Sequence, residues 1–454
     1  MAINPTVSPL VDLLQQYKLL QAEFEFEKET FYQQTQRAGI PKRVRQGVCW
    51  YPVTSRKSYY NSLNQLIVEI QRDENDDTEH NFEYGRTVCF FHFDGAGGMH
   101  YFNFTGTISY VHEETMLVVL SSSRHLLDIQ SVTDLGVQLY FDTTSYKTMF
   151  SALTEVMEAK GNRLAHLREV ILGHEIPEQR KFQPIRMMWL NRSQEEAVNH
   201  VLAAKEVAVV HGPPGTGKTT TLVECIYETL RREEQVLVCA QSNTAVDWIA
   251  EKLVDRGINV LRIGNPTRVN EKMLSFTYER KFEAHPSYRT LQKTRAFIRE
   301  FSNKIKREKG AKRESLRRKL QSQRDLAIQR EIQINAQLFD EARVIVCTLV
   351  GSANRLLNGK IFSTLFIDEA AQALEAACWI AISKAKRVVL AGDHCQLPPT
   401  IKNYEAARGG LNCTLLQKII QRQPETVSML DVQYRMHESI MRFPSNWFYE
   451  GRLQ

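Results

Sequence analysis

No two of the eight cysteines in this chain stand at a CxxC spacing. Cys49, Cys89, Cys225, Cys239, Cys347, Cys378, Cys395 and Cys413 are scattered, several of them inside apolar runs. That argues against a zinc ribbon or a disulfide scaffold; reduced, buried thiols in a cytoplasmic setting are expected instead. No apolar run reaches the roughly 20 residues of a membrane-spanning helix, so a membrane role is not expected. The opening stretch, MAINPTVSPLVDLLQQ, lacks the basic start and long apolar core of a secretory signal. With 454 residues, 43% hydrophobic and 24% charged, the composition is that of a globular chain with several cores.

Charge is small in sum and uneven in place. The net is +6, yet residues 289–330 hold fifteen Lys or Arg against four acids, a local +11 that leaves the remainder at −5. The stretch 289–335 has a helical pattern and contains no proline. It reads as a basic helical hairpin inserted into a larger domain. Charge runs are usually solvated faces, but this imbalance points to a polyanion, with Arg317, Arg318 and Lys319 as contacts.

What the chain does have is a complete phosphate loop. Residues 211–221 read HGPPGTGKTTT, with Gly212–Thr219 in the pattern GxxxxGK[ST]. Gly212, Gly215 and Gly217 let successive N–H groups turn inward, with Pro213, Pro214 and Thr216 between them. Lys218 reaches the β- and γ-phosphates, the Thr219 hydroxyl ligates Mg²⁺, and Thr220 continues the helix whose N-terminus faces the anion. An apolar VAVV precedes the loop and TLVECIYETL follows it, as the motif requires. Some 150 residues on, LFIDEAAQ closes a second apolar run with Asp368, a metal ligand, and Glu369, placed to deprotonate the attacking water. ATP and Mg²⁺ are therefore the expected ligands.

The rest organises around that core. Residues 1–43 read as an N-terminal packing helix, with Leu13, Leu14, Tyr17, Leu20, Phe24 and Phe31 near one face. Residues 44–142 carry β-branched and aromatic runs broken by RDENDDTEH and by DGAGG, a hairpin signal, and predict a small antiparallel barrel. Its aromatics could stack on bases, but most, Phe91 and Phe93 included, are expected to face inward. Residues 143–185 read as stalk helices and linker. Residues 186–288 and 336–430 alternate strands and helices. The predicted strands are 207–210, 236–240, 260–263, 344–348, 365–367 and 388–391, near-continuous apolar runs suited to a buried parallel sheet. Residues 431–454 would open another domain. The fold class is thus α/β, a RecA-like core with an inserted β-barrel and a basic helical hairpin.

The remaining motifs stand in a fixed order: LNRSQ, CAQSNTAVDWIAEKL, LRIGNPTRV, VIVCTLVGS, LFIDEAAQ, LAGDHCQLPPT and DVQYRMHESIMRFPSNWFYEG. From about residue 40 onward the chain resembles the superfamily 1B helicases of the nonsense-mediated-decay type. It resembles the immunoglobulin mu-binding-protein branch in particular, where the barrel opening GVCWYPV also has a counterpart. The resemblance implies an ATP-dependent helicase or translocase moving 5′ to 3′ on single-stranded DNA or RNA. A monomer is expected. It implies that Gln194 reads adenine, that Gln396 links the γ-phosphate to the strand groove, that Arg435 contacts the γ-phosphate from across the cleft, and that Ser242, Asn243 and Thr348 hold the strand backbone. Tyr434 either stacks on adenine or packs in the core. Ser242 can equally cap the following helix. His394 and Cys395, without a second pair at ligand spacing, are not expected to hold metal.

Relatives continue past QYRMH into a complete second RecA-like domain, whereas this chain stops at Gln454. The expectation is therefore a fragment that binds ATP and nucleic acid with weak or absent turnover and no unwinding. Two other classes stay open: a nucleic-acid-binding module that ATP modulates without motor action, and a phosphate-loop ATPase acting on protein partners.

Overall fold

The computed structural model describes residues 8–35, 38–73, 78–94, 97–264, 269, 271–305 and 309–454. Residues 1–7 and 36–37 of the N-terminal segment, 74–77 of RDENDDTEH, 95–96 of DGAGG, 265–268 of LRIGNPTRV, 270, and 306–308 of the basic stretch therefore lie outside the described residues.

Helix α1 (Pro9–Thr35) leads into a short α2 (Ile40–Arg45). Six strands then close a barrel: β1 (Cys49–Tyr60), β2 (Leu66–Gln71), β3 (Thr87–Phe93), β4 (Met99–His112), β5 (Thr115–Leu120) and β6 (Leu135–Leu139). Closure removes exposed sheet edges. Helix α3 (Ser123–Gln130), which the sequence pattern does not announce, precedes the last strand.

The period of two decides which aromatics fill the barrel, and it corrects the assignment of Phe91 and Phe93. Val88 and Phe90 point inward with Trp50, Val68, Ile108 and Val118. Phe91 and Phe93 take the opposite face, where they meet Tyr51. Phe91 is still fully buried, because Tyr51 and Tyr101 cover it. Leu14 is a second correction: it is 45% exposed, while Leu13 and Leu20 are buried.

Helices α4 (Thr144–Glu158) and α5 (Arg163–Ile171) connect to the second unit. It comprises α6 (Arg192–Ala203), β7 (Val207–His211), α7 (Lys218–Leu230), β8 (Val236–Ala240), α8 (Asn243–Asp255) and β9 (Val260–Arg262). It continues through α9 (Tyr278–Ala284), the hairpin α10 (Tyr288–Ile305) and α11 (Gly310–Glu341), β10 (Val344–Thr348), β11 (Leu365–Asp368), α12 (Glu375–Ile382) and β12 (Val388–Gly392). A one-turn α13 (Tyr404–Ala406), α14 (Leu415–Arg422), β13 (Val427–Met429) and α15 (Glu438–Phe448) complete it. The strands form one parallel sheet in the order β13-β7-β12-β11-β8-β10-β9. Its seventh strand, β13, is too short to leave an apolar signal in the sequence.

Side chains alternate across this sheet. Val207, Val209, Leu237, Cys239, Ile345 and Ile367 face one core, which α4, α12 and α14 cover. Ala208, Val210, Val238, Val346 and Phe366 face the other, under α6, α7 and α8. Burial on both faces explains the unbroken apolar runs. Every loop at the carboxyl ends of the strands is thereby presented on one rim, the usual place for a ligand in an open α/β sheet.

Two clamps, one buried and one at the surface, hold the N-terminal helix and the basic hairpin in place. Asp12 of α1 accepts from Lys418 Nζ at 2.6 Å and from Arg422 at 2.7 Å, and Lys418 also meets Glu375 at 2.6 Å. On the basic hairpin, Arg295 bonds the Ser62 carbonyl at 3.1 Å and Arg299 the Asn64 side chain at 2.6 Å, fixing α10 to the β1–β2 turn of the barrel.

Candidate functional site

The loop between β7 and α7 bends as its glycines predict. Gly215 and Gly217 have φ of 81° and 76°, left-handed values that other residues adopt only under strain. Neither position has room for a side chain: a Cβ at Gly215 would lie 2.6 Å from Cβ of Arg435, and one at Gly217 would lie 2.7 Å from Nε2 of Gln194. Thr216 is buried and ties the loop by its hydroxyl to the Pro213 carbonyl at 2.7 Å. Tyr434 N–H donates to the Gly215 carbonyl at 2.9 Å, so the C-terminal segment is pinned directly to the loop.

A cavity of about 570 Å³ opens there, walled by Gly212, Pro213, Pro214, Gly215, Gly217, Lys218, Thr219 and Thr220. Glu369, Gln396, Tyr434 and Arg435 face the same space. Residues from separate motifs thus converge on one pocket. Tyr434 is 68% exposed, which disposes of the core alternative, and its hydroxyl accepts from Asn191 Nδ2 at 3.0 Å.

The acids stand where β11 ends. Lys218 Nζ lies 2.7 Å from Glu369 Oε1. Glu369 sits in the left-handed region at φ 52°, an uncommon state for a non-glycine residue and one found at functional sites. Asp368 is buried and accepts from the Glu369 N–H at 2.9 Å. Burial pushes its carboxyl up to about 6, against the pull of Lys218 and with the push of Glu369. A second cavity, about 680 Å³, is lined by Asp368, Glu369 and Thr219 on one side and by Ser242, Thr244 and Gln372 on the other.

Gln194 occupies the third position of α6. Its Oε1 accepts from Asn191 N–H at 3.1 Å in a reciprocal cap, and its Nε2 donates to the Thr216 carbonyl at 3.1 Å. The amide therefore braces the phosphate loop, and one N–H is left for a ligand.

Ser242 and Thr348 follow or end the neighbouring strands β8 and β10. Ser242 Oγ accepts from Ala245 N–H at 3.1 Å, so it caps α8. Asn243 Oδ1 accepts from the buried Arg262 at 2.8 Å, and Thr348 Oγ1 accepts from Gly351 N–H at 3.0 Å. All three use an acceptor locally and keep donors, the groups a phosphodiester needs. Arg317, Arg318 and Lys319 lie on α11, all three exposed, and none of them is among the residues that wall the pocket.

Sequence reasoning missed a buried carboxylate three residues before Gln396. Asp393 receives His211 Nε2 at 3.0 Å, Gln396 Nε2 at 2.8 Å and the Tyr449 hydroxyl at 2.7 Å. Burial opposes its charge, but these three hydrogen bonds outweigh that and hold it at about 2. It joins the strand before the phosphate loop, the pocket glutamine and α15's end. The available signal was an acid directly after an apolar strand, in LAGDHCQ. Ligand-type atoms of His211, Asp393 and His394 lie within 4.8 Å of one another, but His211 and Asp393 are already bonded to each other. Trp248 and Lys252 also wall the pocket; both lie within CAQSNTAVDWIAEKL, but the motif assigned a role only to Ser242 and Asn243.

A family model described as an AAA domain matches residues 189–404, and another of the same description matches 411–454. The chain is 34% identical over 361 residues to DNA-binding protein SMUBP-2 of Rattus norvegicus, covering 77% of this chain and 36% of that one. It is 32% identical over 356 residues to DNA polymerase alpha-associated DNA helicase A of Schizosaccharomyces pombe, covering 77% and 53%. It is 34% identical over 355 residues to ATP-dependent helicase NAM7 of Saccharomyces cerevisiae, covering 75% and 34%. The chain spans about a third to a half of the length of these relatives. Among solved structures, arterivirus nonstructural protein 10, a helicase, aligns over 84% of this chain and 63% of that one at 10% identity and a TM-score of 0.33, too distant to bear on the site. The ordered motifs, the pocket they build and the matching relatives together place the chain in the superfamily 1 helicases of the nonsense-mediated-decay type.

Proposed function

We propose that this chain carries the nucleotide-binding half of an ATP-dependent helicase or translocase that acts 5′ to 3′ on single-stranded DNA or RNA. The observation that carries the reading is the convergence of the phosphate loop, Glu369, Gln396, Tyr434 and Arg435 on one cavity. In this reading residues 186–288 and 336–430 form the ATPase domain, 289–335 a strand-facing insert, 44–142 an accessory barrel, and 431–454 the start of a second RecA-like domain.

Each group then has a task. Lys218 leaves Glu369 for the β- and γ-phosphates, and Glu369, so released, takes the proton of the attacking water. Arg435, fixed beside Gly215, supplies positive charge to the γ-phosphate as charge builds there. Gln194 offers its remaining N–H to adenine and Tyr434 its ring face. Gln396 relays the state of the γ-phosphate through Asp393 to Tyr449 on the C-terminal segment. Ser242, Asn243 and Thr348 donate to the strand backbone.

Magnesium fits the donor set. Thr219 and Asp368 present hard oxygens to the same cavity, and the buried Asp368 carboxyl, raised by desolvation, is of the kind a cation would hold ionised. When bound, the ion would neutralise phosphate charge.

ATP turnover by the 454-residue chain, with and without a single-stranded oligonucleotide, tests the proposal. Binding of ATP and of the strand, with weak hydrolysis that the strand stimulates, is the expected mark of this half of the motor. Strand binding that changes with ATP at zero turnover would instead favour an ATP-modulated binding module. Hydrolysis indifferent to any oligonucleotide, with no salt-dependent strand binding, would overturn both.

A further inference from the structure

Two side chains on the wall of the nucleotide cavity have no task in the scheme above. Trp248 and Lys252 stand one turn apart on α8. The opposite face of that helix is firmly seated: Ile249, Ala250 and Leu253 are buried, and Asp247 meets the fully buried Arg262 at 2.9 Å. The pair is thus carried on a rigid support.

Trp248 is 52% exposed, a large apolar surface left in view. It lines both the nucleotide cavity and the adjoining cavity that holds Ser242, a property it shares only with Thr219 and Glu369 among their described walls. Lys252 lines the nucleotide cavity alone, with its Nζ 4.9 Å from the Trp248 ring centroid. Carboxylates are near in sequence, but Glu251 and Asp255 of the same helix are both taken by Lys272, at 2.7 and 3.1 Å. Among the described residues no carboxylate pairs with Lys252.

We propose that Lys252, cradled on the Trp248 indole, is a second cation for the terminal phosphates of the bound nucleotide, with Trp248 as its positioning residue. A lysine held by a carboxylate must break an ion pair before it meets phosphate. One resting on a ring face gives up only a weak attraction and arrives partly desolvated. The charge of the cavity fits this role. Lys218 and Glu369 neutralise each other, which leaves Lys252 on one wall and Arg435 on another to face a polyanion.

The inference rests on the nucleotide reading of the loop, and one titration separates the two. Fluorescent ATP and ADP analogues are titrated into the full chain and into the Lys252→Ala, Lys252→Arg, Trp248→Ala, Trp248→Phe and Lys218→Ala variants. Lys252 is not part of either buried core, so its variants should keep the fold, which circular dichroism verifies. Lys252→Ala should weaken the triphosphate about tenfold, as expected for one charge-assisted contact, and the diphosphate less. Lys252→Arg and Trp248→Phe should retain most of the binding; Trp248→Ala should fall between. Unchanged binding in Lys252→Ala, an equal loss for both nucleotides, or a loss confined to oligonucleotide binding would overturn the inference while Lys218→Ala still abolished nucleotide binding. If Lys218→Ala also bound normally, both readings would fall.

Discussion

Lys218 and Glu369 lie 151 residues apart in sequence and 2.7 Å apart in space, Nζ to Oε1. The cation of the phosphate loop and the acid assigned to activate water are each other's counter-ion. Removing either should therefore have opposite effects on nucleotide binding. Lys218→Ala should abolish it. Glu369→Gln should retain or tighten it, because Lys218 is set free, while turnover falls by about 10²–10⁴. Nucleotide titration beside a phosphate-release assay checks this; surviving turnover in Glu369→Gln would remove Glu369 as the base.

The buried Asp393 predicts an acid-sensitive link between pocket and C-terminal segment. Its carboxyl is held at about 2 in the fold, below its ordinary value near 4, so it adds stability above about pH 4 that is lost as pH falls towards 2. Tyr449→Phe removes a 2.7 Å donor to that carboxylate and should cost about 1–3 kcal/mol at neutral pH. The acid-unfolding midpoint, followed by circular dichroism, should move to higher pH. A midpoint at the wild-type pH would mean that His211 and Gln396 alone hold the charge.

The Asp12–Lys418–Glu375 cluster predicts a large stability effect far from the pocket. Asp12→Ala leaves Lys418 and Arg422 short of a buried partner and should destabilise by about 3–5 kcal/mol. Urea unfolding would register it. A loss below about 1 kcal/mol would show that α1 is not anchored through this network.

On α11, charge reversal at Arg317, Arg318 and Lys319 should weaken oligonucleotide binding and flatten its dependence on salt. The log–log slope should fall by about one for each phosphate these side chains cease to neutralise. Nucleotide binding should be untouched. An unaltered slope would make this face merely solvated.

The shape of the phosphate loop was legible in the sequence because it is set locally. A loop of glycines, a lysine and a hydroxyl within the stretch Gly212–Thr219 already contains most of its geometry, and Gly215 and Gly217 adopt the left-handed backbone that only their side-chain-free Cα allows cheaply. All but one strand of the parallel sheet announced themselves for a similar reason: burial on both faces demands unbroken apolar runs. The barrel aromatics were harder. Phe90 and Phe91 are equally apolar and equally buried, and only the direction in which β3 enters the barrel decides which one fills it.

Composition and local motif determined that this chain would form the glycine-bent loop before α7 and build a parallel sheet, since both follow from neighbours in sequence. Only the tertiary structure decided that Glu369 would face Lys218, that Asp393 would collect His211, Gln396 and Tyr449, and that Trp248 would carry Lys252 to the same wall. Most of those relations join side chains on separate elements. The packing of helices on the sheet, which no local pattern encodes, sets the distance between them.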